Sequence, residues 1–188
     1  MDYTKRIKEL NRIFGQLLDE CPELVYIGDP ILRQKTTGAS LEEGVEIGNK
    51  LKITLEKYRT ITGFGRGLAA PQIGESKSVF VTHVGDKFQI YINPKIVEKS
   101  SKSNFYRESC LSCGFLSVDV QRPSSITLEY TNEGGTVRNE KLESFQARLI
   151  QHEYDHLEGV VNIDKAELGS IDFMIKDPLM EQIRDSQK

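Results

Sequence analysis

The sequence predicts an α+β fold in which mainly antiparallel β-sheets pack around one central helix, with further helices at the N-terminus. Three observations indicate this: an apolar stripe of helical spacing near the N-terminus, a middle section of short strand-like runs, and a second helical stripe after residue 144. Helices followed by strands and then one helix is typical of α+β proteins, because βαβ units would alternate the two. The chain has 188 residues, and we expect residues 1–188 to form a single domain.

The N-terminal part of the chain contains two predicted helices. Within residues 4–18, apolar side chains recur on one helical face, namely Ile7, Leu10, Ile13, Phe14, Leu17 and Leu18. Residues 22–40 contain a Gly-Asp-Pro sequence and are predicted to form a loop. Ser40 followed by Glu43 is a capping-box pattern, which predicts a second helix that ends near Thr60.

The middle of the chain is predicted to be mostly strands. Residues 61–76 are rich in Gly and Ala, which favours a loop or edge strand with close backbone approach. Strand-like runs then occur at Ser78–Val84, Phe88–Ile92, Ile96–Glu98, Ser125–Thr131 and Thr136–Leu142, with a turn at Gly134–Gly135. A final helix is predicted from about Ser144 to a stop at Gly159. Beyond residue 164 we expect some helix around the apolar residues Ile171, Phe173, Met174, Leu179 and Ile183.

Composition and charge exclude several classes of function. The net charge is −3, so the chain has no electrostatic footprint for nucleic acid. No apolar run approaches 18 residues, so no membrane span is expected. The N-terminus mixes charged and apolar residues and has no signal-peptide core, which predicts a cytoplasmic protein. The three cysteines, an odd and low number, argue against a disulfide framework and favour a metal ligand or nucleophile.

The sequence His152-Glu153-Tyr154-Asp155-His156 is an H-E-x-x-H pattern on the last predicted helix. Residues four apart share a helical face, so both imidazoles can reach one metal ion, and Glu153 can contact a water on that ion. This pattern predicts metal-activated water chemistry. The alternative is a charged helix with two chance histidines, which is disfavoured because the chain contains only three His.

A catalytic site of this kind needs a third protein ligand and one open position. Downstream of the pattern the chain offers only carboxylates, Glu158, Asp164 and Glu167. Upstream it offers Cys110, whose thiolate is a strong ligand for Zn²⁺ or Fe²⁺. A further segment, GRGLAAPQIG at 65–74, contains small residues that would let the backbone lie against an extended substrate, and Gln72 supplies an amide donor.

Three segments in this order resemble the three motifs of peptide deformylases, G-x-G-x-A-A-x-Q, E-G-C-L-S and Q-H-E-x-D-H. The chain has GRGLAAPQ at 65–72, ESCLS at 108–112 and QHEYDH at 151–156. The similarity covers most of residues 25–163 and includes Ile92-Asn93-Pro94, Arg122-Pro123 and Ala147-Arg148.

The resemblance implies a catalytic role for each matching residue. One divalent metal per chain, Fe²⁺ with Zn²⁺ as the other candidate, would be bound by Cys110, His152 and His156. Glu153 would act as general acid and base toward hydroxide on that metal, and would pass its proton to the leaving amine. The Gln72 side chain and the Leu111 backbone N–H would stabilise the oxyanion.

The resemblance also implies the substrate and its surroundings. The substrate would be a nascent chain that begins with N-formylmethionine, and formate would be released. Gly67, with Arg66 and Leu68 beside it, would contact the peptide, while Glu108 and Arg148 would brace the site. A contact with the ribosome would follow from such a substrate, with residues 164–188 as one candidate element; no membrane contact is implied.

The chain departs from the family pattern at several positions. Ser109 replaces a glycine, which would strain the loop if that position required positive φ. Arg66 replaces an apolar residue near the substrate pocket, so an acidic substrate is one alternative. The segment 113–117 lacks the usual arginine, and Cys113 forms a C-x-x-C with Cys110. Two further hypotheses therefore stand beside a deformylase: a metal amidase for another N-acyl substrate, and a non-catalytic zinc-binding module with two thiolates.

Overall fold

The computed structural model of the chain describes residues 3–173. Within them, three α-helices are α1 (Tyr3–Glu20), α2 (Leu41–Thr62) and α3 (Ser144–Leu157). Eight strands are β1 (Gly67–Ala69), β2 (Val79–Val84), β3 (Lys87–Lys99), β4 (Ser103–Ser109), β5 (Leu116–Pro123), β6 (Ser125–Thr131), β7 (Val137–Glu143) and β8 (Asp172–Phe173).

The strands form two antiparallel sheets. A five-stranded sheet has the order β1-β2-β3-β6-β7, and a three-stranded sheet has the order β4-β5-β8. Helix α3 contacts strands of both sheets, and it carries the H-E-x-x-H pattern. The predicted α+β class with antiparallel sheets around a central helix is confirmed.

Two helices and one sheet face form the larger part of the core. Along β2, Val79 and Val81 point toward α1 and α2, whereas Phe80 points toward α3, as the period of two in a strand requires. Helix α2 lies close to the sheet because Gly44 and Gly48 lack side chains: an added Cβ would lie 2.7 Å from β3 isoleucine side chains. A larger residue at either position would push the helix away.

The capping box predicted for α2 is present. The Ser40 Oγ accepts from the Glu43 N–H at 3.2 Å, and the Ser40 N–H donates to Glu43 Oε2 at 2.8 Å. Gly63, at φ +80°, ends the helix in the left-handed conformation. The prediction placed the end of the helix near Thr60, two residues before its last residue, Thr62.

The predicted strands differ from the structure in two ways: two predicted runs are one strand, and two strands are missing from the prediction. The predicted runs Phe88–Ile92 and Ile96–Glu98 form one long strand, β3. Asn93, at φ +50°, lies where the pairing of β3 with β6 shifts in register. The Asn93 side chain forms hydrogen bonds with the backbone of Ala39. Strands β4 and β5 were not predicted. Glu108 is the one buried residue of β4, so the pairing of this strand with β5, rather than a buried apolar face, defines it.

The predicted helix beyond residue 164 is not found in residues 164–173. That segment contains the end of a 3₁₀ turn, Asn162–Lys165, and strand β8. Met174, Leu179 and Ile183 lie outside the described residues. No helix in residues 3–173 has the length and apolar character needed to cross a membrane.

Candidate metal centre and active site

Helix α3 and the end of β4 bring three metal-binding side chains together. His152 and His156 are one helical turn apart on α3, and Cys110 directly follows β4. Their ligand atoms all lie within 4.8 Å of one another, and Cys110 Sγ is 3.2 Å from His156 Nε2. All three side chains are buried. These three residues are the metal ligands expected from the sequence, and the structure places them beside one another.

The chemistry of this cluster fits a divalent transition metal. A thiolate and two imidazoles suit Fe²⁺ or Zn²⁺. Burial and the neighbouring His152 hold the pKa of His156 well below its usual value, so its imidazole is neutral, as a ligand must be. Burial raises the pKa of the Cys110 thiol, and a bound cation would offset that cost of ionisation.

Glu108 orients the first histidine from behind. Its Oε2 lies 3.0 Å from His152 Nδ1, which leaves His152 Nε2 for the metal cluster. The carboxylate also accepts from Arg122 Nε at 2.6 Å and Nη2 at 2.9 Å, and from Arg148 Nη1. Burial alone would raise the pKa of Glu108, but the hydrogen bonds from Arg122 and His152 outweigh it and hold the pKa well below its usual range.

The bracing network is wider than the sequence indicated. Glu108 and Arg148 occupy the bracing positions expected for them. Arg122 and Asp155 complete the network through a 2.7 Å hydrogen bond from Arg122 Nη1 to Asp155 Oδ2. Asp155 lies inside the H-E-x-x-H segment, and Arg122 lies on β5. The sequence signal that could have linked them is an arginine within a strand, because a buried arginine needs a carboxylate partner.

Glu153 lies beside the cluster with one carboxylate oxygen unsatisfied. The residue is buried, and its Oε2 has no hydrogen-bond partner among the described residues. Burial raises the pKa of Glu153 to about 7. Gly67 packs directly against this carboxylate, and a Cβ at that position would overlap Oε1. Any larger residue at this position would therefore force the Glu153 carboxylate to move.

Gln72 is held with its amide hydrogens facing Cys110. Its Oε1 accepts from the Ala69 N–H at 2.8 Å, which fixes the orientation of the amide. Its Nε2 then donates to Ser112 Oγ at 3.1 Å and lies 3.5 Å from Cys110 Sγ. Leu111 follows Cys110 at the start of the 3₁₀ turn Leu111–Cys113 and lines a cavity that opens onto the ligand cluster.

A cavity opens onto the cluster between β1, α3 and the end of β4. Both Arg66 and Gly67 line it, together with Phe145 and Leu149 of α3. Leu68 does not line it, because its side chain is fully buried in the core on the α1–α2 side of the sheet. Its side chain is therefore a core residue, so a contact of Leu68 with substrate would have to be made by its backbone.

Two departures from the family motif have simple structural accounts. Ser109 is the last residue of β4 and is not among the described non-glycine residues with positive φ, which are Asn93 and Ser144. The strain considered for Ser109 is therefore absent. The Cys113 Sγ donates to Asn162 Oδ1 at 3.2 Å, and Cys113 is not part of the three-residue ligand cluster.

Comparisons with known proteins bear on the same residues. The sequence model of the polypeptide deformylase family matches residues 21–170. The chain belongs to the peptide deformylase family. This match includes all three segments that surround the cluster of ligand side chains, and it makes the chain a hydrolase of that family.

Individual peptide deformylases agree with this assignment. A peptide deformylase of Pseudothermotoga lettingae is 41% identical over 165 residues, which cover 86% of this chain and 92% of that protein. The crystal structure of the Thermotoga maritima peptide deformylase has a TM-score of 0.66 at 35% identity, covering 77% of this chain and 96% of that one. A probable peptide deformylase from Synechococcus phage S-SSM7 has a TM-score of 0.70 at 34% identity, covering 76% and 97%.

Proposed function

We propose that this chain removes the formyl group from N-formylmethionyl nascent peptides and releases formate. The observation that carries the proposal is the buried cluster of Cys110, His152 and His156, with ligand atoms within 4.8 Å and the Glu153 carboxylate beside it. These three side chains would hold one divalent metal, Fe²⁺ or Zn²⁺. When bound, that metal would lower the pKa of a coordinated water and polarise the formyl carbonyl.

Glu153 would move the proton. Burial raises its pKa, and a carboxylate that is less costly to protonate can accept a proton from water and return it. As oxygen from the water joins the formyl carbon and the C–N bond breaks, that proton passes to the leaving amine, so the products are formate and a free N-terminus. The unsatisfied Oε2 is the atom available for this transfer.

Gln72 and Leu111 would stabilise the oxyanion. The bond from the Ala69 N–H fixes the Gln72 amide before substrate arrives, and its Nε2 would exchange one of its present acceptors, Ser112 Oγ or Cys110 Sγ, for the oxyanion. The Leu111 backbone N–H, next to Cys110, would be the second donor. Donors of this kind contribute about 2.7–4 kcal/mol to catalysis when they are preorganised.

The peptide would bind along β1. This strand is at the edge of the five-stranded sheet, so one of its sides has no strand partner within residues 3–173. Because Gly67 has no side chain, the peptide backbone can approach Glu153 closely. Arg66 would lie next to the peptide, whereas Leu68 would contribute only its backbone.

The proposal extends to the cellular setting. All three cysteines are free thiols, which agrees with a reducing cytoplasm. A contact with the ribosome would suit a nascent-chain substrate, but most of the candidate element 164–188 lies outside the described residues.

Two other hypotheses are separable by experiment. A metal amidase for another N-acyl group is favoured by Arg66, which lines the cavity. A closed zinc module would require Cys113 as a ligand, and its hydrogen bond to Asn162 argues against that.

We would load the protein anaerobically with Fe²⁺ and measure cleavage of formyl-Met-Ala-Ala beside acetyl-Met-Ala-Ala. Formate release without acetate release supports a deformylase. The reverse supports an amidase, and no cleavage by protein with one bound metal would overturn both reactions.

A further inference from the structure

A second cysteine lies beside the metal cluster without belonging to it. Cys110 is one of the three ligand side chains, and Cys113 follows it three residues later at the end of the 3₁₀ turn Leu111–Cys113. Both cysteines are buried, with exposed fractions of 1% and 4%, in one small apolar cluster with Leu32 and Val161. The proposed reaction makes no use of the Cys113 sulfur.

The backbone holds the two cysteines at the separation that a disulfide requires. The Cys113 N–H donates to the Cys110 carbonyl at 3.0 Å, which closes a turn of four residues. A turn of this kind keeps its first and fourth Cα atoms less than about 7 Å apart. Disulfides join Cα atoms that are roughly 4.4–6.8 Å apart, so these two positions can be bridged with little movement of the backbone.

The two side chains also face each other. The Cys110 and Cys113 thiol groups are hydrogen-bonded to one another. Cys113 Sγ donates to Asn162 Oδ1 at 3.2 Å, and Asn162 is fixed in turn by a 3.4 Å hydrogen bond from its Nδ2 to the Glu108 carbonyl. Because Asn162 takes the Cys113 hydrogen, the lone pairs of the Cys113 sulfur remain for Cys110.

The surroundings decide which sulfur an oxidant meets and which sulfur can respond. Cys110 lines the cavity that opens onto the ligand cluster, so a small oxidant that enters this cavity reaches Cys110. The third cysteine of the chain, Cys21, packs in the separate core between α1 and α2. Cys113 is therefore the partner that this fold provides for an oxidised Cys110.

We propose that Cys110 and Cys113 form a reversible disulfide when the cluster holds no metal and hydrogen peroxide is present. In the first step the Cys110 sulfur attacks the peroxide: an S–O bond forms, the O–O bond breaks and water leaves, which gives a sulfenic acid. In the second step the Cys113 sulfur attacks the Cys110 sulfur: an S–S bond forms, the S–O bond breaks, and the hydroxide leaves as water with the Cys113 proton. Two thiols are oxidised, and one peroxide is reduced to two waters.

This disulfide would change the metal site in two ways. It removes the Cys110 thiolate from the ligand set and leaves two histidines, which are too few for a catalytic metal site. It also prevents the oxidation of Cys110 to sulfinic or sulfonic acid, which thiol reductants do not reverse. A dithiol reductant restores both thiols and, with them, the three ligands. The inference goes beyond the proposed reaction and does not depend on it.

The test uses the full chain, stripped of metal with a chelator and treated with hydrogen peroxide. Free thiols, intact mass and Zn²⁺ binding would be measured before and after reduction with dithiothreitol. We expect the three free thiols to fall to one and the mass to fall by two hydrogen atoms. Zn²⁺ binding should be lost and then fully restored by the reductant. Protein loaded beforehand with Zn²⁺, which has no redox chemistry of its own, should lose thiols much more slowly.

Three variants assign the reversibility to Cys113. Cys113→Ser and Cys113→Ala remove the second sulfur, the former with hardly any change of volume. Both should bind Zn²⁺ before treatment, but after peroxide Cys110 should gain two or three oxygen atoms and dithiothreitol should not restore Zn²⁺ binding. Cys21→Ala is the matched control, because it removes an equally buried cysteine far from the ligand cluster. It should still form the disulfide and recover.

The outcomes separate this inference from the proposed reaction, because no readout uses formate release. Wild-type protein whose mass rises by whole oxygen atoms, without loss of hydrogen, would overturn the inference. Wild-type thiols that stay intact at peroxide concentrations that oxidise free cysteine would also overturn it. So would equal recovery of Zn²⁺ binding in wild type and the Cys113 variants. The wild-type mass and the Cys21→Ala control decide the question even if a Cys113 variant folds poorly.

Discussion

Replacing Glu108 with glutamine should destabilise the protein more than any change at an exposed ion pair. One carboxylate serves two buried arginines and a histidine: Arg122 through two hydrogen bonds, Arg148 through one, and His152 Nδ1 at 3.0 Å. In Glu108→Gln one oxygen becomes an NH₂ group that cannot accept these bonds. Both guanidinium groups remain, with Asp155 as the other carboxylate bonded to Arg122.

The magnitude follows from what remains buried. Removing one partner of a buried ion pair costs about 3–5 kcal/mol, because the other charge stays without compensation. Typical domains have about 5–15 kcal/mol of total stability, so Glu108→Gln should remove a large share of it.

The pH dependence has a definite sign. Because the folded pKa of Glu108 lies well below its unfolded value near 4.3, its contribution is full above about pH 5 and is lost as the pH falls. The stability difference between wild type and variant should therefore shrink on acidification.

Urea unfolding followed by circular dichroism would measure this, with a chelator present so that metal binding does not contribute. The matched control is Glu9→Gln, which breaks an exposed Arg6–Glu9 pair on α1 and should cost less than about 1 kcal/mol. If Glu108→Gln cost no more than Glu9→Gln at pH 7, the account of Glu108 as a buried hub would be wrong.

Three further predictions address the site. Gly67→Ala should lower kcat/KM for formate release about 10²-fold, because the added Cβ displaces the Glu153 carboxylate. Gly38→Ala is the control and should leave kcat/KM unchanged, because its added Cβ would come no closer than 3.6 Å to its neighbour, Asn93 Oδ1. Equal rates in the two variants would refute the steric argument. Cys113→Ala should leave one metal per chain and an unchanged Co²⁺–thiolate absorption band, whereas loss of half that band would reveal a second thiolate and favour the closed zinc module. Removing the metal with a chelator should lower the melting temperature, because the ligand set is buried and binds only when folded; an unchanged value would contradict a metal at this cluster.

The features predicted well from sequence are those with local causes. The α2 capping box depends on side chains three residues apart, and the pairing of His152 with His156 depends on the helical repeat, so both could be identified from spacing. Cys110 could be named as a candidate from its residue type, but its role as the third ligand came from the family motif, since nothing in its own neighbourhood fixes its distance from α3.

The features missed have causes distant in sequence. Strand β4 has one buried residue, Glu108, and is defined by its pairing with β5, so its sequence shows little apolar alternation. Arg122 and Asp155 meet only after β5 packs against α3. Leu68 follows Gly67 in β1, so its side chain points to the opposite face of the strand and into the core. Its position in the motif alone could not show that its side chain is part of the core.

Formate release by Glu153→Gln tests the central claim most directly. The variant and wild type would be loaded with Fe²⁺ anaerobically, checked for one metal per chain, and assayed with formyl-Met-Ala-Ala. The control, Glu158→Gln, makes the same chemical change just after α3, outside the cavity. We expect Glu153→Gln to retain its metal and lose at least about 10²-fold in kcat, as removal of a general acid–base group does, with Glu158→Gln unaffected. Full activity in metal-loaded Glu153→Gln would contradict the proposed role of this carboxylate.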